Sequence, residues 1–230
     1  MYDSLINVNG EQVPTLDILL MLTIISLLPS LLIMMTSFTR TMIILSFLRT
    51  AMGVQQTPPN MVLVGISIFL TLFIMNPVIS DINTQAYTPY KNNEITQEVA
   101  LERAQVPLKR FMLSNTTNSS LRLFTDIAGQ EVPDEAEFED KDAYVDAMMD
   151  MPMTVVIPSF MTSELKRAFT AGFLLYIPFL LIDIVVSSTL MSMGMMMLPP
   201  AMISMPFKLL LFITVDGWEL LFKNIVDGFH

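Results

Sequence analysis

Met61–Ser80 reads MVLVGISIFLTLFIMNPVIS, twenty residues without one ionisable side chain. A helix of that length rises about 30 Å, the thickness of a bilayer's hydrocarbon core. Two further stretches are comparable: Asp17–Thr39 and Ala168–Phe207 hold Asp17 and Asp183 as their only charges. Lipid offers the backbone no hydrogen bonds, so such runs are expected as helices. A spanning barrel would need strands that alternate in polarity, and these runs are continuously apolar. The expected class is therefore all-α and membrane-associated.

Composition agrees. The chain is 53% hydrophobic and 15% charged, with a mean hydropathy of +0.57, too apolar for an ordinary soluble domain. Of its 34 charged residues, 20 lie between Asp81 and Asp150, 14 acidic against 6 basic. A net charge of −10 argues against nucleic acid as a partner. There is no Cys, and the single His is His230, so disulfides, thiolate nucleophiles and most zinc chemistry are excluded. No cofactor or metal site is expected. Residues 1–15 are polar with no basic start, so no signal peptide is visible: either none exists or the N-terminus is a processed one.

The charge distribution divides the chain. Residues 1–15 form a polar tail, 16–80 a first apolar helical hairpin, 81–153 an acidic helical insert, and 154–230 a second apolar hairpin. Each hairpin carries a prolyl pair near its bend, Pro58-Pro59 and Pro199-Pro200, both followed by a residue and a Met. Proline suits a helix start and not its interior, so each pair is expected to end one helix and open the next. Pro29 is expected to kink the long run Ile18–Leu48, and Pro107 to interrupt the insert's first helical face. Gly129 is a helix stop. The run Asp134–Asp150, with eight acidic residues and one Lys, lacks the spacing of a calcium loop and reads as a solvated segment.

Basic residues near span ends favour the cytoplasm. Arg40 and Arg49 flank the first bend and are read as topology anchors there. The tail, the insert and the C-terminus then lie outside, and the second bend faces the cytoplasm.

Three groups of residues stand out chemically. Met191, Met193, Met195, Met196, Met197, Met202 and Met205 crowd the second bend. Thioether side chains adapt to irregular or changing gaps, so the loop is either gap-filler or a deformable apolar seal. Asp183 sits inside an apolar run. Such a residue is a candidate for proton sensing, but an ion pair is the commoner explanation, with Lys208, Arg40 or a neighbouring subunit supplying the cation. Glu164, Lys166 and Arg167 are read at the start of the third long helix. There Glu164 complements the helix dipole and can pair with Arg167 one turn on.

Several stretches carry a family resemblance. They are Met34-Met35-Thr36-Ser37-Phe38-Thr39-Arg40 with Leu45-Ser46-Phe47-Leu48-Arg49; Gln55-Gln56-Thr57-Pro58-Pro59-Asn60; Pro107-Leu108-Lys109-Arg110-Phe111-Met112-Leu113; Ile157–Lys166 with Phe169 and Gly172-Phe173; Met193–Pro200; and Pro206–Leu209 through Asp216-Gly217-Trp218. Ordered along nearly the whole chain, they resemble the P subunit of the type III secretion export gate of bacterial flagella and injectisomes. Thr36–Arg49 and Gln55–Asn60 are closer to the flagellar branch. The resemblance implies a non-enzymatic role at the bacterial inner membrane, in the flagellar basal body. Five copies would assemble with Q and R subunits and other export proteins, passing unfolded flagellar subunits, with the insert on the periplasmic side. It implies that Met195, Met196 and Met197 close the pore as a gasket, and that the segment around Glu164 touches another subunit. It also implies a gate raised toward the periplasm, so that not every apolar helix meets lipid. The alternatives are an injectisome subunit of the same family and a small-solute secondary transporter, for which Asp183 alone is thin support.

Overall fold

Apolar side chains recurring every three to four residues assemble the molecule around one long rod. The computed structural model describes residues 5–8, 11–54, 56–130, 132–133, 138–195 and 197–229. Two short strands, β1 (Leu5–Val8) and β2 (Glu11–Pro14), pair antiparallel with Leu5 opposite Pro14 and Val8 opposite Glu11. Helices follow: α1 (Thr15–Met34), α2 (Phe38–Ala51), α3 (Asn60–Ile74) and α4 (Asn76–Ile82), which runs through a π-helical turn at Asn83–Tyr87 into α5 (Thr88–Lys91). The insert continues with α6 (Gln97–Ser114), α7 (Asn118–Ala128) and α8 (Lys141–Ala147). The rod is α9 (Met153–Ser192), and α10 (Pro200–Thr214) and α11 (Gly217–Asp227) complete the chain. The helical class holds, with the β1–β2 ribbon as the one departure where only a polar tail was expected.

The proline expectations divide. Pro59 caps α3 and Pro199 caps α10, so both prolyl pairs open helices as read. Pro107 does not interrupt its helix: α6 runs through it, and α1 likewise continues through Pro29. The long first run divides instead at Met35–Ser37, where Thr36 donates its hydroxyl to Ile33 O at 2.9 Å and closes α1. Gly129 does end α7, in the left-handed region at φ 66°, where a residue without Cβ is unstrained.

Two apolar clusters lie along α9. In the first, Met112, Leu121, Val145 and Met148 of the insert enclose Val156 and Phe160 near the start of α9. In the second, Leu45 and Leu48 of α2 join Leu63 of α3, Ala168 and Phe179 of α9, and Phe212 of α10. The two apolar pairs are not separate units. Helix α2 touches α3 but lies against α9 along more of its length. Its buried stripe of Thr41, Ile44, Leu45, Leu48 and Ala51 has the spacing of one helix face. The helices approach closely at Gly172, where a Cβ would stand 2.5 Å from the Phe47 ring.

With 40 residues, α9 is about 60 Å long, twice the hydrocarbon thickness. It is the one helix among the described residues that is long and apolar enough by itself to cross a membrane. Helices α3 and α4–α5 pass the same test only as a pair bent by 59°. Helix α2, 14 residues or about 21 Å, falls short of a span.

Candidate functional site

At the insert end of α9, Glu164 is fully buried and meets Arg40 of α2 in a two-pronged pair. Arg40 Nε donates to Glu164 Oε2 at 2.8 Å, and Nη2 donates to Oε1. The same guanidinium donates from Nη1 to Gly228 O at 2.8 Å and lies 3.6 Å from the Phe229 ring centre. One charge pair thus ties α2, α9 and the C-terminus together, and a forked guanidinium suits this better than a lysine would. Two expectations change here. Glu164 is not at a helix start, because α9 begins eleven residues earlier at Met153, so its partner is Arg40 and not a helix dipole. Arg40 is not at a water–lipid edge: it is 5% exposed, neutralised and at the opposite end of α2 from Arg49. A neutralised buried arginine contributes nothing to a positive-inside count. Arg49 remains at the first bend, donating to Asn60 Oδ1 and, at 3.4 Å, to Pro58 O. Arg167 lies one turn beyond Glu164 and half-buried.

The second pair sits farther along α9. Lys208 Nζ of α10 donates to Asp183 Oδ2 at 2.6 Å and to Ala51 O of α2 at 3.0 Å. The Ser204 hydroxyl donates to Asp183 Oδ1 at 2.6 Å. Asp183 therefore has its cation and a hydroxyl donor within one chain. Of the two candidates within the chain, Lys208 is the one that reaches it, and Arg40 is engaged by Glu164. The contact also fixes geometry, because it places the end of α2 beside α10. The first bend and the Met-rich loop consequently lie at the same end of α9.

The loop itself begins with a Schellman closure. Met195 N donates to Leu190 O at 3.0 Å and Gly194 N to Met191 O at 3.1 Å, with Gly194 at φ 75°. An L residue with a Cβ is strained there, so glycine is what lets α9 stop and the chain turn. On both sides of Gly194 the methionines point outward. Met191, Met193, Met195 and Met202 are exposed, and Met197 is 98% exposed. Met196 lies outside the described residues. Met193 also lines an apolar groove of about 560 Å³ between α9 and α10, with Leu181, Val185, Ile203 and Phe207. In a single chain the loop is thus apolar, uncovered and beside free volume. Among the described residues no cluster of His, Asp and Glu has the makings of a metal site.

Within the insert, polar contacts tie α6 to α8 and to the turn after it. Lys109 donates to Met149 O, and Arg110 pairs with Asp146 at 2.5 Å. Burial pushes the Lys109 pKa below its usual value, with Asp150 opposing the shift.

Comparison with known proteins follows the same span. A sequence model of the FliP family matches residues 21–225. The chain is 48% identical over 215 residues to the flagellar biosynthetic protein FliP of Bacillus subtilis, covering 94% of this chain and 92% of that one. It is 48% identical to the protein of the same name from Pectobacterium carotovorum, over 96% of this chain and 82% of that one. For Aquifex aeolicus the identity is 46%, with 96% and 88% covered.

Proposed function

The chain belongs to the FliP family of flagellar biosynthetic proteins, and we propose that it is a wall subunit of the flagellar type III export gate. Its role is structural and not catalytic. Several copies, five on the family's pattern, enclose a pore together with Q and R subunits and further export proteins. Unfolded flagellar subunits pass through it across the inner membrane. The relatives' names favour the flagellar over the injectisome reading.

One observation carries this reading. From Phe169 to Met193, α9 leaves Phe169, Phe173, Leu174, Leu181, Ile184 and Val185 uncovered and ends in the exposed Met-rich loop. The insert already covers the start of α9; the uncovered part, about 36 Å, is somewhat longer than the hydrocarbon core and runs into the exposed Met-rich loop, so neighbouring protein chains are the natural cover where lipid ends. The loop ends serve as the gasket, because thioethers yield to a passing chain and re-close on themselves.

Purified from native membranes, the tagged chain should run as a large ring containing foreign chains; recovery as a complete small unit would overturn the gate reading. Within an assembled gate, replacing Met195, Met196 and Met197 with Ala should give intact complexes that leak small ions. Leu replacements should leak less, since volume-conserving apolar swaps are tolerated best. A triple-Ala gate as tight as its parent sinks the gasket.

A further inference from the structure

We propose that the second bend is an oxidant-sensitive modification site: Met191, Met193, Met195, Met197 and Met202 take up oxygen from hypohalous acids, and the resulting sulfoxides open the gate. The inference rests on the gasket reading of the same loop. Its chemistry rests on how sulfur is distributed in the chain. There are 21 methionines and no cysteine, so no thiol of this subunit intercepts an oxidant first. The methionines differ widely in exposure. Met52, Met75, Met112 and Met148 are enclosed in the core, whereas the five of the bend are open, Met197 almost entirely. Susceptibility to oxidation follows access, so the densest group of reactive thioethers is the bend, while Met21, Met34 and Met61 are exposed singly elsewhere.

The reaction balances without a further reagent. A sulfur lone pair is oxidised by two electrons and an S–O bond forms. The O–Cl bond of the hypochlorous acid breaks, and chloride and a proton leave. A small uncharged oxidant reaches the loop from the pore mouth. The product is a polar, less flexible side chain in place of a soft apolar one. A ring of such groups cannot pack dry, because an S=O dipole without a donor is costly in an apolar setting. Water then enters where thioethers had met. The change is reversible by methionine sulfoxide reductases, so the site can act as a switch as well as a lesion.

The test uses the whole export gate in liposomes, treated with limiting hypochlorite and read by peptide mass spectrometry and by ion flux. Sulfoxide should appear at the bend about tenfold faster than at Met112 or Met148, in step with exposure. Ion flux should rise several-fold and return on treatment with reductases. A gate with these five positions and Met196 all changed to Leu should not respond; if that variant fails to assemble, reversal by reductase on the parent gate carries the test. Equal oxidation at bend and core overturns the proposal. So does a bend fully oxidised with unchanged flux, or a Leu gate that gains the same flux. A triple-Ala gate that leaks beside an oxidised parent that does not keeps the gasket and removes this inference.

Discussion

Burial ranks the ion pairs. Glu164 and Arg40 are 0% and 5% exposed, so Glu164→Gln leaves a guanidinium stranded in the core. The expected loss is about 3–5 kcal/mol, the usual cost of breaking a buried pair from one side. Asp183 is 30% exposed, and Lys208 keeps Ala51 O as an acceptor, so Asp183→Asn should cost about 1–3 kcal/mol. Arg110 and Asp146 are both half-exposed, and Asp146→Asn should cost under about 1 kcal/mol. Denaturant unfolding of the solubilised protein checks the order. An Asp183→Asn chain that unfolds and assembles normally, yet exports without responding to the proton-motive force, would point to energy coupling and away from a structural pair. Sequence reading reached the Asp183–Lys208 pair because a lone acid in an apolar run demands a cation, and few cations were near. It missed Arg40–Glu164 because both residues had satisfactory local explanations. Nothing local in the sequence joins residues 124 positions apart.

At the scale of the element, the decisive contact is α2 on α9. Phe47 stands over Gly172 and packs edge-on to Phe169 with ring centres 5.5 Å apart. Gly172→Ala should destabilise by about 1–3 kcal/mol through overpacking, despite alanine's better helix propensity. Combined with Phe47→Leu the loss should shrink, since the two sites share one space; strictly additive losses would show that the helices do not meet there. Helix existence was legible throughout, because long apolar runs leave little choice. Boundaries were less so. Pro107 promised a break that did not occur, and α1 runs through Pro29 and α9 through Pro158 and Pro178 as well. Proline forfeits one backbone bond, and packing against neighbours repays it where the surroundings are close. The β1–β2 ribbon had a signal that went unused: Asn9-Gly10 between two short runs is a common hairpin sequence.

At the scale of the molecule, α9 has two ends of different character, and the question is which compartment each faces. The insert core, the Arg40–Glu164 pair and the C-terminal Phe229 gather at its start. The end of α2, Lys208 and the Met-rich loop gather toward its other end. The fold therefore fixes a polarity that hydropathy alone expressed only as a count of crossings. Charge supports an outward insert: fourteen acidic residues make it a poor neighbour for an anionic inner leaflet. Because the chain has no cysteine, single cysteines give a clean readout. Lys141, exposed on α8, and Thr50, exposed at the end of α2, report the two ends. With the outer membrane permeabilised, Lys141→Cys should react with an impermeant maleimide. Thr50→Cys should react only after the inner membrane is opened, or stay shielded by neighbouring subunits until the gate is dissociated. Reaction of Lys141→Cys solely after opening the inner membrane would reverse the polarity. It would also overturn the periplasmic placement of the insert that the family resemblance implies.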